Sequence, residues 1–392
     1  MKETTNWEYI PLEKAVDIFD ALREPINNKE RAKRIEGKPF NVLFPYYGAT
    51  GLVGYIDDYI LDGDYVLLGE DGAPFLSSSA NKAYLISGKA WVNNHAHILK
   101  SKTNNKFLCY YLNYFNYKGY VSGTTRLKLT QASMKSIPVP VSTIEEQQRI
   151  VARIEELFSQ LDKGVETLQT IKQQLAVYRQ AVLKEAFEEV DGETTIIRNL
   201  CKDIKVGIVI KPTQYYVNSG GIYAFRNSNV RRGFIDDRKW AMISIDGHIS
   251  NKRSEVHTGD VLVSRSGANL GMASAIPEKY DGYNAIDVVI AVPDKDKIIP
   301  AYLAHYTNSP FGQVTVKERE RGAAQAHLNV TVYGKLPIVC PSIETQRTII
   351  KQIEERCSIC DSIEQTVDAA LAQAEALRQS ILKKAFEGGF TQ

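Results

Sequence analysis

A stretch of 51 residues occurs twice in this chain, and the second copy follows the first at a constant offset of 199 residues. From Pro138 to Glu188 the copies share 19 identities in 51 positions without a gap. Among them Ile154-Glu155-Glu156 falls on Ile353-Glu354-Glu355, Arg179-Gln180 on Arg378-Gln379, and Ala186-Phe187-Glu188 on Ala385-Phe386-Glu387. A duplication of this length decides the architecture before any local pattern does. Apolar residues of the first copy fall at Ile144, Val151, Ile154, Phe158, Leu161, Val165, Leu168, Leu175 and Val182. The steps are three, four or seven, the spacing of a heptad seam on a helix. Ile343, Ile350, Ile353, Cys357, Cys360, Val367, Leu371, Ala374 and Ile381 draw the same seam in the second copy. Prolines stand before each helix and none within, and Ser142 with Glu145 reads as a capping box, with Ser342 as the cap of the second helix. A helix of about 45 residues at ~1.5 Å each is a rod of roughly 65–70 Å. A single apolar stripe on such a rod needs a partner, either its own globular block or the other copy. The matching stripes favour the other copy. Lys172, Arg179, Glu364 and Arg378 interrupt the seam and disfavour other registers.

The rods divide the chain into a globular block at 1–136, a helical segment at 137–189, a second block at 190–335 and a second helical segment at 336–392. Short apolar runs with turns mark strands at 42–44, 53–56, 65–68 and 96–99, with helical signals at 12–22 and 105–117. The second block follows a similar order. Gly259-Asp260-Val261-Leu262 echoes Gly63-Asp64-Tyr65-Val66, residues 301–306 echo 107–112, and residues 322–328 sit at the 199-residue offset from 123–129. No counterpart of Tyr46-Tyr47 is visible there. The blocks are mildly basic, with 17 Lys and Arg against 14 Asp and Glu in 1–136 and 19 against 15 in 190–335. The helical segments are mildly acidic, 6 against 9 and 6 against 8. This distribution suits nucleic acid on the blocks and protein on the helices. Five cysteines without framework spacing and no long apolar run point to a cytoplasmic chain with no membrane partner.

Two unlike blocks separated by near-copies of a helical region resemble the specificity subunit of a type I DNA restriction-modification system. The phrases that carry the resemblance are Ile137-Pro-Val-Pro-Val-Ser-Thr-Ile-Glu-Glu-Gln147 with its copy at 336–346, Pro45-Tyr-Tyr-Gly-Ala-Thr-Gly51, Asp62-Gly-Asp64, Leu68-Gly-Glu-Asp-Gly72 and Gly259-Asp-Val-Leu-Val-Ser-Arg265. The resemblance implies an α+β architecture with a pseudo-twofold internal repeat. Two mixed α/β target recognition domains are joined by two long helices packed as an antiparallel coiled coil. It implies that each domain reads half of a split site in double-stranded DNA and that the rods set the gap. Two methyltransferase subunits and restriction subunits are the implied partners. S-adenosylmethionine is expected in the methyltransferase subunit, usually acting on adenine, and no cofactor is expected in this chain.

Base readers in such domains are polar side chains on loops. Tyr46, Tyr47, Thr50, Arg126 and Lys128 are the candidates in the first block. Arg226, Asn227, Asn229, Arg231, Arg232, Arg265, Asn269 and Gln325 are those in the second. Arginine suits the major-groove edge of guanine, and Asn or Gln suits adenine. Each can equally serve a phosphate, a turn or an ion pair. Cys357 and Cys360 lie on the seam, where Phe158 and Leu161 stand in the first copy, and read as packing residues. The pair His95 and His97 lies in a β run and offers no metal framework. No phosphate-binding Gly-x-x-x-x-Gly-Lys loop, no Gly-x-Gly-x-x-Gly and no Asn-Pro-Pro-Tyr or Asp-Pro-Pro-Tyr segment occurs. No catalytic and no metal-binding residues are therefore assigned. The competing readings are a stand-alone methyltransferase or nuclease and a purely structural coiled-coil protein.

Overall fold

Both copies of the repeat fold as uninterrupted helices, Ile144–Glu188 and Ile343–Phe386, in a computed structural model that describes residues 7–313 and 327–390. The first helix starts one residue later than its capping box suggests. Thr143 Oγ1, not Ser142, accepts from the Glu146 amide at 3.2 Å, and the buried Ser142 hydroxyl has no partner. The second copy shows why: Ser342 accepts from the Thr345 amide at 3.2 Å, and Ser342 stands opposite Thr143 in the 199-residue register. Just inside each cap a buried glutamine ties the helix start to the preceding backbone. Gln147 Nε2 donates to Ser142 O at 3.2 Å, and Gln346 Nε2 donates to Pro341 O at 2.9 Å.

The chain divides into two units, residues 1–169 with 368–392 and residues 170–367, so that each long helix contributes one half to each unit. In the first unit a four-stranded antiparallel sheet runs in the order Val16–Ile18, Ala96–Ser101, Tyr65–Gly69, Ala83–Ile86. A mixed sheet runs Gly51–Ile56, Phe44–Gly48, Lys89–Val92, Leu61–Asp62, its second strand antiparallel to the first and parallel to the third. Glu8–Pro11 pairs with Pro138–Val141 and ties the start of the block to the approach of the helix. The helical signal at 12–22 resolves into a one-turn helix, Leu12–Ala15, the strand Val16–Ile18 and a 3-10 turn, because alternation of buried and exposed residues takes over after Ala15. The helix expected at 105–117 ends at Tyr114.

The second unit repeats this plan. Cys201–Val206, Val288–Pro293, Val261–Ser264 and Ala273–Ala275 form its antiparallel sheet. Ala241–Ile243, Ile222–Phe225 and Asn284–Ala285 form its mixed sheet, again with a central strand that has one antiparallel and one parallel neighbour. Glu193–Ile196 pairs with Pro337–Cys340 as the ribbon. The internal duplication therefore runs through the globular blocks as well as the helices. Buried side chains confirm it. Asn113, in the helix Asn105–Tyr114, accepts from the Ala83 amide at 3.0 Å and donates to the Ala83 carbonyl at 2.8 Å. Asn308, in Pro300–Asn308, makes the same two bonds to Ala273 at 2.9 and 2.8 Å. The hydroxyl of Tyr111 donates to Pro138 O, and that of Tyr306 to Pro337 O. These pairs place Tyr302 opposite Phe107, one residue away from the register that the sequence echo suggests.

Each unit buries its two half-helices against one another and against its sheet. In the first, Ile150, Val151 and Ile154 share a core with Ile381, Leu382, Ala385 and Phe386. In the second, Val182, Leu183 and Phe187 share one with Ile349, Ile350 and Ile353. Residues early in one helix meet residues late in the other, so the pairing is antiparallel. The charged residues that interrupt the seam are matched across it. Arg179 pairs with Asp361 at 2.6 Å and with Glu364 at 2.8 Å. Arg378 pairs with Asp162, and in the 199-residue register this is the Arg179–Asp361 pair again. Cys360 is buried on the seam and Cys357 packs beside it, as packing residues do.

Candidate nucleic-acid interface

In the second unit the central strand Ile222–Phe225 runs straight into the basic stretch 226–239. Asn229 shapes that stretch. It is 2% exposed, accepts from the Arg226 amide at 2.9 Å, and donates to the carbonyls of Asp236 and Lys239 at 2.8 Å each. Its amide has no free edge for a base, so the expectation of Asn229 as a reader gives way to a framing role. An open cleft of about 570 Å³ lies here, lined by Arg226, Ser228, Asn229, Arg231, Asp236, Arg238 and Lys239. Asp236 receives Arg238 at 2.6 Å and Arg231 at 3.4 Å, and the Arg238 hydrogen bonds hold its carboxyl well below the usual range.

Asn227 is the hub beside the cleft. Its carbonyl oxygen accepts from the Arg265 amide at 2.8 Å and the Ser264 hydroxyl at 3.0 Å. Its amide donates to Ser266 Oγ at 3.0 Å and Asp287 at 3.3 Å. Arg265 pairs with Asp287 at 3.0 Å and donates to Leu328 O at 3.2 Å. Asn269 donates to Asn227 O at 2.9 Å and accepts from Arg231. Asp287 holds φ 53°, a left-handed backbone secured by these two partners. Six of the residues chosen from sequence thus form one connected network. Arg232 stands exposed beside it and donates to Asn308 O at 3.4 Å. Gln325 lies outside the described residues. Arg238, Lys239, Asp236 and Asp287 belong to the same surface and were not chosen. The first three extend the 226–232 cluster by only a few residues, whereas Asp287 gives no signal of its own in sequence.

The strand that carries Tyr46 and Tyr47 has a counterpart after all. Tyr46 pairs with Trp91 and Tyr47 with Val92 in parallel register, and Ala224 pairs with Asn284 and Phe225 with Ala285 in the same way. Tyr47 O accepts from the Asn93 amide at 3.1 Å, as Phe225 O does from the Ile286 amide at 2.8 Å. The local offset is 178 residues rather than 199, which hid the match, and it sets Arg226 opposite Gly48. Tyr46 is 3% exposed, donates to Ile26 O at 3.0 Å and lies under the Arg31 guanidinium at 4.9 Å. It is a core residue here, contrary to the expectation of a base reader. Tyr47 is half-buried against Tyr84, and burial pushes its hydroxyl pKa up. Thr50 is exposed at the tip of a hairpin whose Gly51, at φ 125°, needs the freedom of glycine.

Arg126 and Lys128 lie on a loop pinned to the segment 70–72. Arg126 pairs with Asp71 at 2.7 Å and Lys128 with Glu70 at 3.4 Å, while the Leu129 amide donates to Glu70 O at 2.7 Å. Behind them His97 is fully buried. Its Nε2 donates to Leu129 O at 3.0 Å and its Nδ1 lies 2.6 Å from Asp20. Burial raises the Asp20 carboxyl, but the hydrogen bond and charge of His97, with further bonds from Ile98 and Gln131, leave it below its ordinary value. Asp20, Glu70 and His97 have ligand atoms within 4.8 Å of one another. Arg23 already bridges Asp20 and Glu70, and Lys128 reaches Glu70 as well, so the cluster is an ion-pair anchor for the loop rather than an open metal site. Residues scattered over positions 20, 70 and 97 gave no spacing to read in sequence.

Comparison with known proteins bears on this arrangement. Residues 6–176 match the family model of the type I restriction modification DNA specificity domain. The chain carries that DNA specificity domain in its first half and is similar along its length to type I restriction enzyme specificity subunits. A Haemophilus influenzae chain assigned as a type I restriction enzyme specificity subunit is 26% identical over 385 residues, covering 95% of this chain and 93% of that one. The EcoBI specificity subunit of Escherichia coli is 28% identical over 294 residues, 69% of this chain and 62% of its own length. A solved chain described in work on complex assembly and conformational transition of the type I R-M system superposes with a TM-score of 0.68 at 16% identity, covering 97% of this chain and 98% of that one. The last likeness shows a shared fold. Among the described residues no helix is long and apolar enough to cross a membrane.

Proposed function

We propose that this DNA sequence-recognition subunit reads a split duplex site. The blocks at 1–136 and 190–335 each take one half, and the helical segments at 137–189 and 336–392 set the gap between them. The observation that carries the reading is one strand plan used twice with unlike side chains at matching places, Gly48 against Arg226 above all. Phosphate contacts would fix register and side chains in the groove would supply sequence. Arg126, Lys128, Tyr47 and Thr50 are the first reader's candidates, and Arg226, Arg231, Arg232, Arg265 and Asn269 the second's, with Asn227 as the hub that holds Arg265 and Asn269. The chemistry belongs to the partners: two methyltransferase subunits that hold S-adenosylmethionine, and restriction subunits that join them. Val177 and Ile359 support docking on the helices, since they stand 70% and 62% exposed, apolar surface of the kind a partner covers.

The test alters the helices. Seven residues inserted at matched places in both keep the heptad register and lengthen the pair by about 10 Å, or roughly three base-pair steps. Methylated sites sequenced in cells carrying the chain with its methyltransferase partner should keep both half-sites and gain about three base pairs between them. An unchanged gap would refute the spacer role, and an unsplit site would refute the two readers.

A further inference from the structure

The cleft at the end of Ile222–Phe225 carries four cations, Arg226, Arg231, Arg238 and Lys239, against one carboxylate, Asp236. Asp236 is shared between Arg238 and Arg231, and Arg231 is also held by Asn269. These two arginines are oriented by the protein itself. Arg226 differs. Its Nε is buried without a hydrogen-bond partner, and its guanidinium makes no ion pair among the described residues. A buried donor left unmet is costly, and sites tend to hold one only where something else supplies the acceptor. The backbone beneath it is fixed, because Asn229 accepts from the Arg226 amide and clamps the loop on its far side. An arginine of this kind presents a planar fork of donors from a rigid base, and that fork matches the O6 and N7 acceptors of guanine. The corresponding place in the first unit is Gly48, which has no side chain to offer.

We propose that Arg226 is the specificity-determining residue of the second reader, taking the major-groove edge of a guanine in its half-site. Arg231 and Arg238, set by Asp236, line the groove around it, and Lys239 meets a neighbouring phosphate. This rests on the DNA-reading function proposed above.

The experiment uses the full chain with its methyltransferase partner, reading methylated sites by sequencing and duplex affinity as a function of salt. Arg226→Gln should relax one guanine position in one half-site and leave the other half-site as it was. Preference for guanine over the other bases there should fall on the order of ten- to a hundredfold. Arg226→Lys keeps the charge and most of the stem but loses the fork, and should relax the same position. Lys239→Ala should weaken all sequences evenly and lower the salt slope by about one. The assignment is overturned if both Arg226 variants keep the guanine requirement, or if both weaken every sequence evenly, the behaviour of a phosphate contact or a structural residue. A change of preferred base with Lys239→Ala overturns the division of roles. If the unaltered chain directs methylation to no split site, the proposed function itself fails, and that outcome is visible before any variant is scored.

Discussion

Replacing Phe386 by Ala tests how the last turn of the second helix holds the first globular block. Phe386 is 3% exposed and packs edge-on to Phe107 and Tyr111, with ring centroids 5.3 Å away in each case, and stacks on Tyr114 at 5.5 Å. Truncating a buried Phe costs about 3–5 kcal/mol. Each lost aromatic pair adds roughly 0.5–1.5 kcal/mol beyond the area, so three neighbours put this site at the upper end. Phe386→Leu keeps most of the volume and should cost about 1–1.5 kcal/mol. A single melting midpoint is a poor readout for a two-unit chain. Amide hydrogen exchange resolves the units separately, through the central strands Tyr65–Gly69 and Val261–Ser264. Protection of Tyr65–Gly69 should drop a hundredfold or more at about 3 kcal/mol, while Val261–Ser264 keeps its own. The mirror experiment is Phe187→Ala, which removes edge contacts to Tyr302 and Tyr306 at 5.3 Å and should loosen Val261–Ser264 instead. Equal losses in both strands, or none in either, would refute the account of two separately anchored units.

Acid should act on the two units in different windows. Burial lowers the His305 pKa to about 4, so the folded second unit binds that proton less readily than the unfolded chain. Its stability should therefore be complete above about pH 6.5 and decline toward about pH 4, and His305→Leu should flatten that decline in urea titrations. The lowered Asp20 carboxyl gives the first unit a contribution present above the ordinary Asp range and lost only as pH falls through and below it, a dependence Asp20→Asn should remove. Asn229→Ala leaves two carbonyls and one amide without their partner, about 1–3 kcal/mol for each that stays buried. It should increase exchange across 226–239 and cost the second half-site, and unaltered exchange there would show that Asn229 does not frame the loop.

The long helices were legible because a repeated seam of period 3.5 has one compact solution, and no competing structure accommodates 44 or 45 residues without a break. The cap was misread by one residue because Ser142 and Thr143 are both competent caps. Only the register of the second copy, where Ser342 faces Thr143, separates them. The globular blocks were legible in outline alone. Their strands are short, and the offset between matching strands drifts from 199 residues to 178 at Tyr46 and Ala224. The polar side chains picked from the second block's loops lie close together, yet sequence could not tell Asn227 and Asn229 from side chains with free edges. Asn227 is occupied by groups that the fold brings from far along the chain, such as Arg265 and Asp287, and Asn229 by the backbone of its own loop. Tyr46 was misplaced for the opposite reason: its hydroxyl finds a backbone carbonyl 20 residues away, which lets a polar side chain join the core.

The unequal divergence of the two halves follows from what each residue must touch. In an antiparallel pair of like helices a seam contact between matching residues is made twice, once by each copy in each role. Arg179 meets Asp361, and Arg378 meets Asp162; a change at one of these positions in both copies breaks two contacts at once. The same holds where helix meets globular block, since Phe187 and Phe386 each pack against aromatics and Asn113 and Asn308 each clamp an edge strand. These are positions where the copies still agree or nearly so. The loops beyond the strand ends take no part in these repeated contacts. Gly48, where an added Cβ would press on the Val53 side chain, and Arg226 therefore differ while the helices and their docking aromatics stay as they are.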